Sequence, residues 1–208
     1  LGRCVQADIT VTFVGIKPGL VTGAGKQSCG KLVYADLGIG SAFQSLAKAS
    51  ATMLNIEHFK GMGPRDVHSH KGTYGRLLCI GGNKGTAGAI RLAGEAALRS
   101  GAGMVRVYTH ESSVVQVSAG RPELMVTDSE LDDALQWASC VVIGPGLGQD
   151  EWAENAFSTT LKHCQQTNKP IVIDADALNI LCKQSTAFTL SHSILTPHSG
   201  EAARLLGV

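Results

Sequence analysis

From Arg76 onward, short apolar runs alternate with helical patterns, and most runs stop at glycine, proline or aspartate. Strand, helix, strand at regular spacing demands parallel pairing through right-handed crossovers, and therefore a layered α/β sheet. Residues 76–80 (R-L-L-C-I) read as a strand, 81–88 as a glycine-rich turn, and 87–99 as a helix N-capped by Thr86 and stopped at Ser100 and Gly101. Residues 104–108 return as a strand, 131–137 as a helix, 140–143 as a buried strand running into G-P-G-L-G, and 152–163 as a helix. A strand over 171–174 ends in D-A-D-A-L-N, a short strand covers 194–196, and a last helix begins at Gly200 and runs to Leu206. No internal repeat is visible.

Residues 1–45 are different: β-type runs at 8–16 and 32–34 are broken by glycine turns, with too few apolar residues for a core of their own. Residues 46–69, mixed in composition and carrying Gly61, Gly63 and Pro64, read as a linker, which leaves 70–208 as the main domain. His68 and His70 have H-x-H spacing but no partner cysteine or carboxylate cluster, so they are not expected to hold a metal. Trp137 and Trp152 fall at core spacing on helices and read as packing residues.

Eighteen basic and seventeen acidic residues leave a net charge of +1, which provides no electrostatic footprint for nucleic acid or an anionic membrane. Any phosphate site must then be local. The six cysteines are scattered without C-x-x-C spacing and read as reduced thiols, Cys79 and Cys140 lying inside strands. A reducing, cytoplasmic compartment is the expectation. No run approaches the roughly 20 apolar residues of a membrane span.

Ligands of parallel sheets bind beyond the carboxyl ends of strands. Four such ends carry unusual residues: G-G-N-K-G-T-A-G-A at 81–89, G-P-G-L-G at 144–148, D-A-D-A-L-N at 174–179 and T-P-H-S-G-E at 196–201. Glycines at a strand-to-helix turn let backbone amides approach an anion, which makes Gly82, Gly85, Gly88 and Gly148 the candidate phosphate or nucleotide loop residues. The same glycines equally serve tight chain reversal. The loop is neither a Walker A sequence nor a G-x-G-x-x-G fingerprint. Asp174 and Asp176 end a hydrophobic strand, where they either cap the following helix or hydrogen-bond substrate hydroxyls or amide. Glu201 sits in a first helical turn, where the dipole favours a carboxylate.

Seven blocks occur in order: H-K-G-T-Y-G-R at 70–76, G-G-N-K-G-T-A-G-A-I at 81–90, A-L-R-S-G-A-G-M-V-R-V at 97–107, R-P-E-L-M-V at 121–126, I-G-P-G-L-G at 143–148, D-A-D-A-L-N at 174–179 and T-P-H-S-G-E-A-A-R-L-L-G at 196–207. Together they closely resemble the ADP- or ATP-dependent NAD(P)H-hydrate dehydratases, members of the ribokinase-like superfamily. Residues 1–45, with A-D-I-T-V-T-F-V-G-I-K-P-G-L, resemble the tail of the NAD(P)H-hydrate epimerase domain that precedes the dehydratase in the fused enzyme. The resemblance implies a ribokinase-like layered α/β fold with a mainly parallel central sheet flanked by helices. It also implies ADP or ATP as co-substrate with Mg2+, hydrated NADH or NADPH as the small-molecule substrate, no nucleic-acid or membrane partner, and a homo-oligomeric full-length enzyme. By motif, Ala89, Gly146 and His198 correspond to substrate-contacting positions, with Asp176 and Asn179 as further candidates. Glu201 stands where related kinases organise magnesium through water, although His198 replaces the asparagine of their N-x-x-E motif.

The family's G-x-G-D segment, with its general-base aspartate, is expected beyond Val208, and the epimerase's catalytic residues upstream of Leu1. The expectation is an incomplete dehydratase domain with little activity of its own and an exposed sheet edge. Two other readings compete: a ribokinase-like kinase of a vitamin precursor, which T-P-H-S-G-E would also suit, and a nucleotide-binding module without catalysis. D-A-D-A-L-N and R-P-E-L-M-V favour the dehydratase.

Overall fold

In the computed structural model, which describes residues 4–58, 63–184 and 191–208, the chain forms two units, residues 1–64 and 65–208. Residues 65–69, expected within the linker, pack with the second unit: the Arg65 guanidinium lies 4.1 Å from the Tyr74 ring centre and donates to Gly101 O at 2.7 Å.

In the first unit, β1 (Ile9–Phe13) pairs parallel with β2 (Lys31–Ala35), Ile9 facing Lys31 and Phe13 facing Ala35. Two short helices join them, α1 (Pro18–Val21) and α2 (Gly23–Ser28), the first opened by a proline whose missing amide costs nothing there; α3 (Gly40–Leu46) follows. Ile9, Val11, Phe13, Val33 and Tyr34 stay exposed along the strands.

The second unit runs β3 (Arg76–Ile80), α4 (Ala87–Arg99), β4 (Met104–Tyr108), α5 (Val114–Ser118), β5 (Leu124–Thr127), α6 (Leu131–Trp137), β6 (Cys140–Ile143), α7 (Glu151–Thr167), β7 (Ile171–Ile173), α8 (Ala175–Lys183), β8 (Ser193–Leu195) and α9 (Ser199–Leu206). Its six strands are all parallel, in the order β5-β4-β3-β6-β7-β8. The mainly parallel sheet flanked by helices expected from the sequence is therefore present. β5 and α5 were not expected from periodicity; each is too short to display one.

Two apolar cores sandwich the sheet. One gathers Cys79, Val105 and Val107 with Ile90 of α4 and Val117 of α5; the other gathers Ile80, Ile143 and Ile173 with Leu135, Phe157 and Leu178 of α6, α7 and α8. The burial of α7 at Ala153, Ala156, Phe157, Thr160, Leu161 and Cys164 follows the three-four spacing of one helical face. The chain starts at the centre with β3, runs outward to β5, then returns to lay β6 against the other side of β3. At such a reversal the two neighbouring loops depart in opposite directions, and a crevice opens at the carboxyl ends of the strands. The strand edge at β8 leaves Ile194 and Leu195 exposed.

Candidate functional site

The loops leaving β3 and β6 are zipped together at their base. Gly82 N–H donates to Pro145 O at 3.1 Å, Asn83 N–H to Gly146 O at 2.7 Å, and Gly144 N–H to Ile80 O at 3.1 Å. Backbone meets backbone so closely that a Cβ on Gly81 would lie 2.2 Å from Pro145 O, and one on Gly144 only 1.7 Å from Asp174 O. Gly82 is buried and its amide is already used, so it builds the floor of the crevice and has no N–H to offer an anion. Gly148 likewise donates its amide, to Asp176 Oδ2 at 2.9 Å. Gly85 (φ +83°) and Gly88 differ: both are exposed, and a Cβ on either would meet nothing within 4 Å.

Four helices begin along this edge, and their caps differ. Thr86, expected to cap α4, does not; its hydroxyl lies 2.9 Å from Asn83 O and 2.7 Å from Gly146 O, holding the two loops together. The first turn of α4, with exposed Gly88 and Ala89, thus carries no cap from the Thr86 side chain; the Ala89 N–H donates to the Thr86 main-chain oxygen at 3.1 Å. α7 is capped by Asp150, whose Oδ1 accepts from Ala153 N–H at 3.0 Å. That amide, then the Asn83 side chain, holds the Asp150 carboxyl below the usual carboxylate range.

Neither Asp174 nor Asp176 caps α8 with its side chain, contrary to one of the two readings of D-A-D-A-L-N. Asp174 Oδ1 accepts from Thr196 Oγ1 at 2.8 Å, tying the β7 tip to the β8 tip, while Asp176 reaches back to the β6 loop. Between them Ala175 adopts φ +47°, a left-handed conformation costing an alanine about 1–2 kcal/mol. Strain of this kind survives only where surrounding contacts fix it.

α9 is closed by a reciprocal cap. His198 Nδ1 accepts from Gly200 N–H at 3.0 Å, and Glu201 Oε2 accepts from His198 N–H at 2.9 Å. An accepting Nδ1 leaves the proton of the neutral ring on Nε2, which stands 3.3 Å from Glu201 Oε1. Glu201 is buried and both its oxygens face His198. The start of α9 therefore engages both carboxylate oxygens, one by the His198 amide and the other by the imidazole. Among the described residues no group of three or more His, Cys, Asp or Glu side chains converges as a metal cage. Asn179 accepts from Arg204 Nε at 3.0 Å, which joins α8 to α9.

Beside the crevice, Trp152 of α7 lies parallel to Tyr108, with ring centres 5.9 Å apart, and His110 meets the indole edge-on at 5.6 Å. Burial raises the Tyr108 hydroxyl above its ordinary pKa. Trp137 packs on the core and carries the Arg106 guanidinium 4.4 Å from its ring centre. Both tryptophans are packing residues in the structure.

Residues 77–208 match the sequence profile of the NAD(P)H-hydrate dehydratases. The chain belongs to the NAD(P)H-hydrate dehydratase family. It is 45% identical over 211 residues to the bifunctional NAD(P)H-hydrate repair enzyme Nnr of Escherichia coli, an alignment covering 99% of this chain and 39% of that protein. It is 39% identical over 148 residues to the ADP-dependent (S)-NAD(P)H-hydrate dehydratase of Lactiplantibacillus plantarum, covering 69% of this chain and 53% of that one. The solved ADP/ATP-dependent NAD(P)H-hydrate dehydratase of Bacillus subtilis, co-crystallised with ATP and Mg2+, superposes with TM-score 0.58 at 34% identity, covering 71% of this chain and 52% of that one. A ribokinase-like protein of Enterococcus faecalis superposes with TM-score 0.63 at 31% identity, covering 68% of this chain and 51% of that one. The chain spans about two fifths of the length of the bifunctional relatives it matches.

For a member of the NAD(P)H-hydrate dehydratase family, the candidate positions fall along one edge of the sheet. Ala89 lies in the first turn of α4, Gly146 (φ +62°) in the β6 loop, Asp176 in the first turn of α8 with Asn179 one turn further on, and His198 precedes α9. Adjacent strands β3, β6, β7 and β8 bring these four tips side by side. Asn83, Asp150, Thr109 and Ser113 were not singled out in the sequence, yet all four knit the β3 loop to its neighbours. Thr109 Oγ1 donates to Gly82 O at 2.6 Å, and Ser113 Oγ to Asn83 O at 3.1 Å. Only the place of Asn83 inside G-G-N-K-G-T hinted at such a role.

Proposed function

We propose that the chain carries the substrate-holding edge of an ADP- or ATP-dependent NAD(P)H-hydrate dehydratase. In that reaction the terminal phosphoryl group of the nucleotide passes to the hydroxyl of the hydrated nicotinamide ring. Phosphate then leaves with the ring C–O bond, a ring proton is lost, and NAD(P)H results. Phosphoryl transfer relies mainly on positioning and charge stabilisation, so loops and helix starts suffice to build much of such a site.

The observation that carries the reading is the uncapped start of α4 rising from a floor of interlocked glycine loops at the chain reversal. Gly85 and Gly88 there have the open, side-chain-free surface that a phosphate needs. Ala89, Gly146 and His198, with Asp176 and Asn179, are the proposed contacts to the substrate. The His198 imidazole, exposed while its Nδ1 is fixed by the cap, would present a ring of set orientation. Residues 1–45 are proposed to belong to an epimerase-like domain. In support, the bifunctional E. coli relative aligns over 99% of this chain, the single-function Lactiplantibacillus one over 69%.

Calorimetric titration tests the proposal. Hydrated NADH should saturate the chain about tenfold more tightly than NADH itself, and His198→Ala should remove most of that preference. Equal affinity for the two dinucleotides, or preferential binding of a pyrimidine alcohol, overturns it.

A further inference from the structure

We infer that Asn83 and Asp150 form a positioning pair that holds residues 84–88 in the conformation that receives the phosphate-bearing part of the ligand, an inference resting on the dehydratase reading above. Neither side chain touches ligand in this scheme.

Asn83 is only 6% exposed, at the tip of β3. Its Nδ2 lies 2.9 Å from each oxygen of Asp150 and 3.0 Å from Leu147 O, so one amide spans from the β3 loop to the β6 loop and the start of α7. Its Oδ1 accepts from Lys84 N–H at 2.7 Å, and its main-chain oxygen accepts from Thr86 N–H at 2.9 Å. Residues 84 and 86 are therefore both hung from Asn83. Asn83 is buried and Asp150 exposed, and with both its amide oxygen and its amide nitrogen engaged the Asn83 side chain fixes the segments it joins. The side chain also explains why residue 148 is glycine, since a Cβ there would sit 2.9 Å from Asn83 Nδ2.

Asp150 adds an electrostatic consequence. Two helices, α4 and α7, begin at the same crevice, and Asp150 fills the positive end of α7 with a carboxylate already bonded to Ala153 N–H. Thr86, the N-cap residue of α4, does not do this. The pair thus fixes the loop leading into the uncapped helix while closing the competing one to anions.

The test compares the unaltered chain with Asn83→Asp, Asp150→Asn and the double exchange Asn83→Asp with Asp150→Asn. Two ligands are titrated calorimetrically: hydrated NADH, and hydrated dihydronicotinamide riboside, which has the same ring and no phosphate. Asn83→Asp sets carboxylate against carboxylate and should weaken hydrated NADH about tenfold, while changing the riboside by no more than about twofold. The double exchange lets the new amide donate to the new carboxylate and should recover affinity to within about threefold. Should Asn83→Asp not fold, Asp150→Asn must still show about threefold weakening confined to the phosphate-bearing ligand. Equal weakening of both ligands marks a purely structural pair and overturns the inference, as does no weakening or no recovery in the double exchange. An unaltered chain that binds hydrated NADH no more tightly than the riboside refutes the dehydratase reading itself, and the inference falls with it.

Discussion

At Gly144 the backbone has φ +130°, and an added Cβ would stand 1.7 Å from Asp174 O, a backbone atom on the next strand's tip. The two nearest atoms belong to the Asp174 backbone, so the β6 and β7 tips would have to separate. Gly144→Ala should cost about 3 kcal/mol or more. Gly85 offers the contrast, because its φ of +83° strains any side chain but the space around it is open. Gly85→Ala should cost only the left-handed penalty of about 1–2 kcal/mol. Urea unfolding with an unchanged slope measures both. Equal losses at the two positions would mean that close approach of the tips does not set the requirement at Gly144.

At the scale of elements, α7 shows how one cap serves two purposes. Asp150 holds the first turn of the helix and anchors Asn83, and these bonds keep its folded pKa below its unfolded one. A depressed carboxyl contributes stability that is fully present above the unfolded pKa and is lost as pH falls through the folded one. Asp150→Ala should therefore lower stability by about 1 kcal/mol at neutral pH, and the gap to the unaltered chain should close on acidification. Urea midpoints at a series of pH values read this out, and a gap constant with pH would exclude the charged carboxylate as its source. Much of the element order was legible: β3, α4, β4, α6 and β6 stand where periodicity and glycine punctuation predict them. The caps were not. Thr86 has the right residue type and place for a cap, but its hydroxyl is taken by Gly146, 60 residues away, and Asn83 meets Asp150 across 67. Local patterns expose the four strand tips because glycine and aspartate there are locally odd; they cannot expose partners that only the fold brings together.

Across the whole molecule the two units differ in how much they bury. Among the described residues of the first, Cys29 is the one buried hydrophobic side chain, and the apolar residues of β1 and β2 are largely exposed. The second unit holds two apolar cores against one sheet. Local stability follows buried apolar contact, so the first unit should open at lower denaturant than the second. The cysteines provide a reporter in each. Cys79 is fully buried, and burial, helped by neighbouring Cys140, pushes its thiol up to about 12; Cys164 is pushed up to about 11, again by burial first. The thiolate is the reacting species, so neither should alkylate at neutral pH until the second unit opens. Pulsed alkylation in rising urea, read by mass spectrometry, should label exposed Cys4 without denaturant, Cys29 next, and Cys79 with Cys164 together about 1 M or more later. Coincident midpoints for Cys29 and Cys79 would instead require the two units to unfold as one cooperative body, with the sparse core of the first sustained by the second.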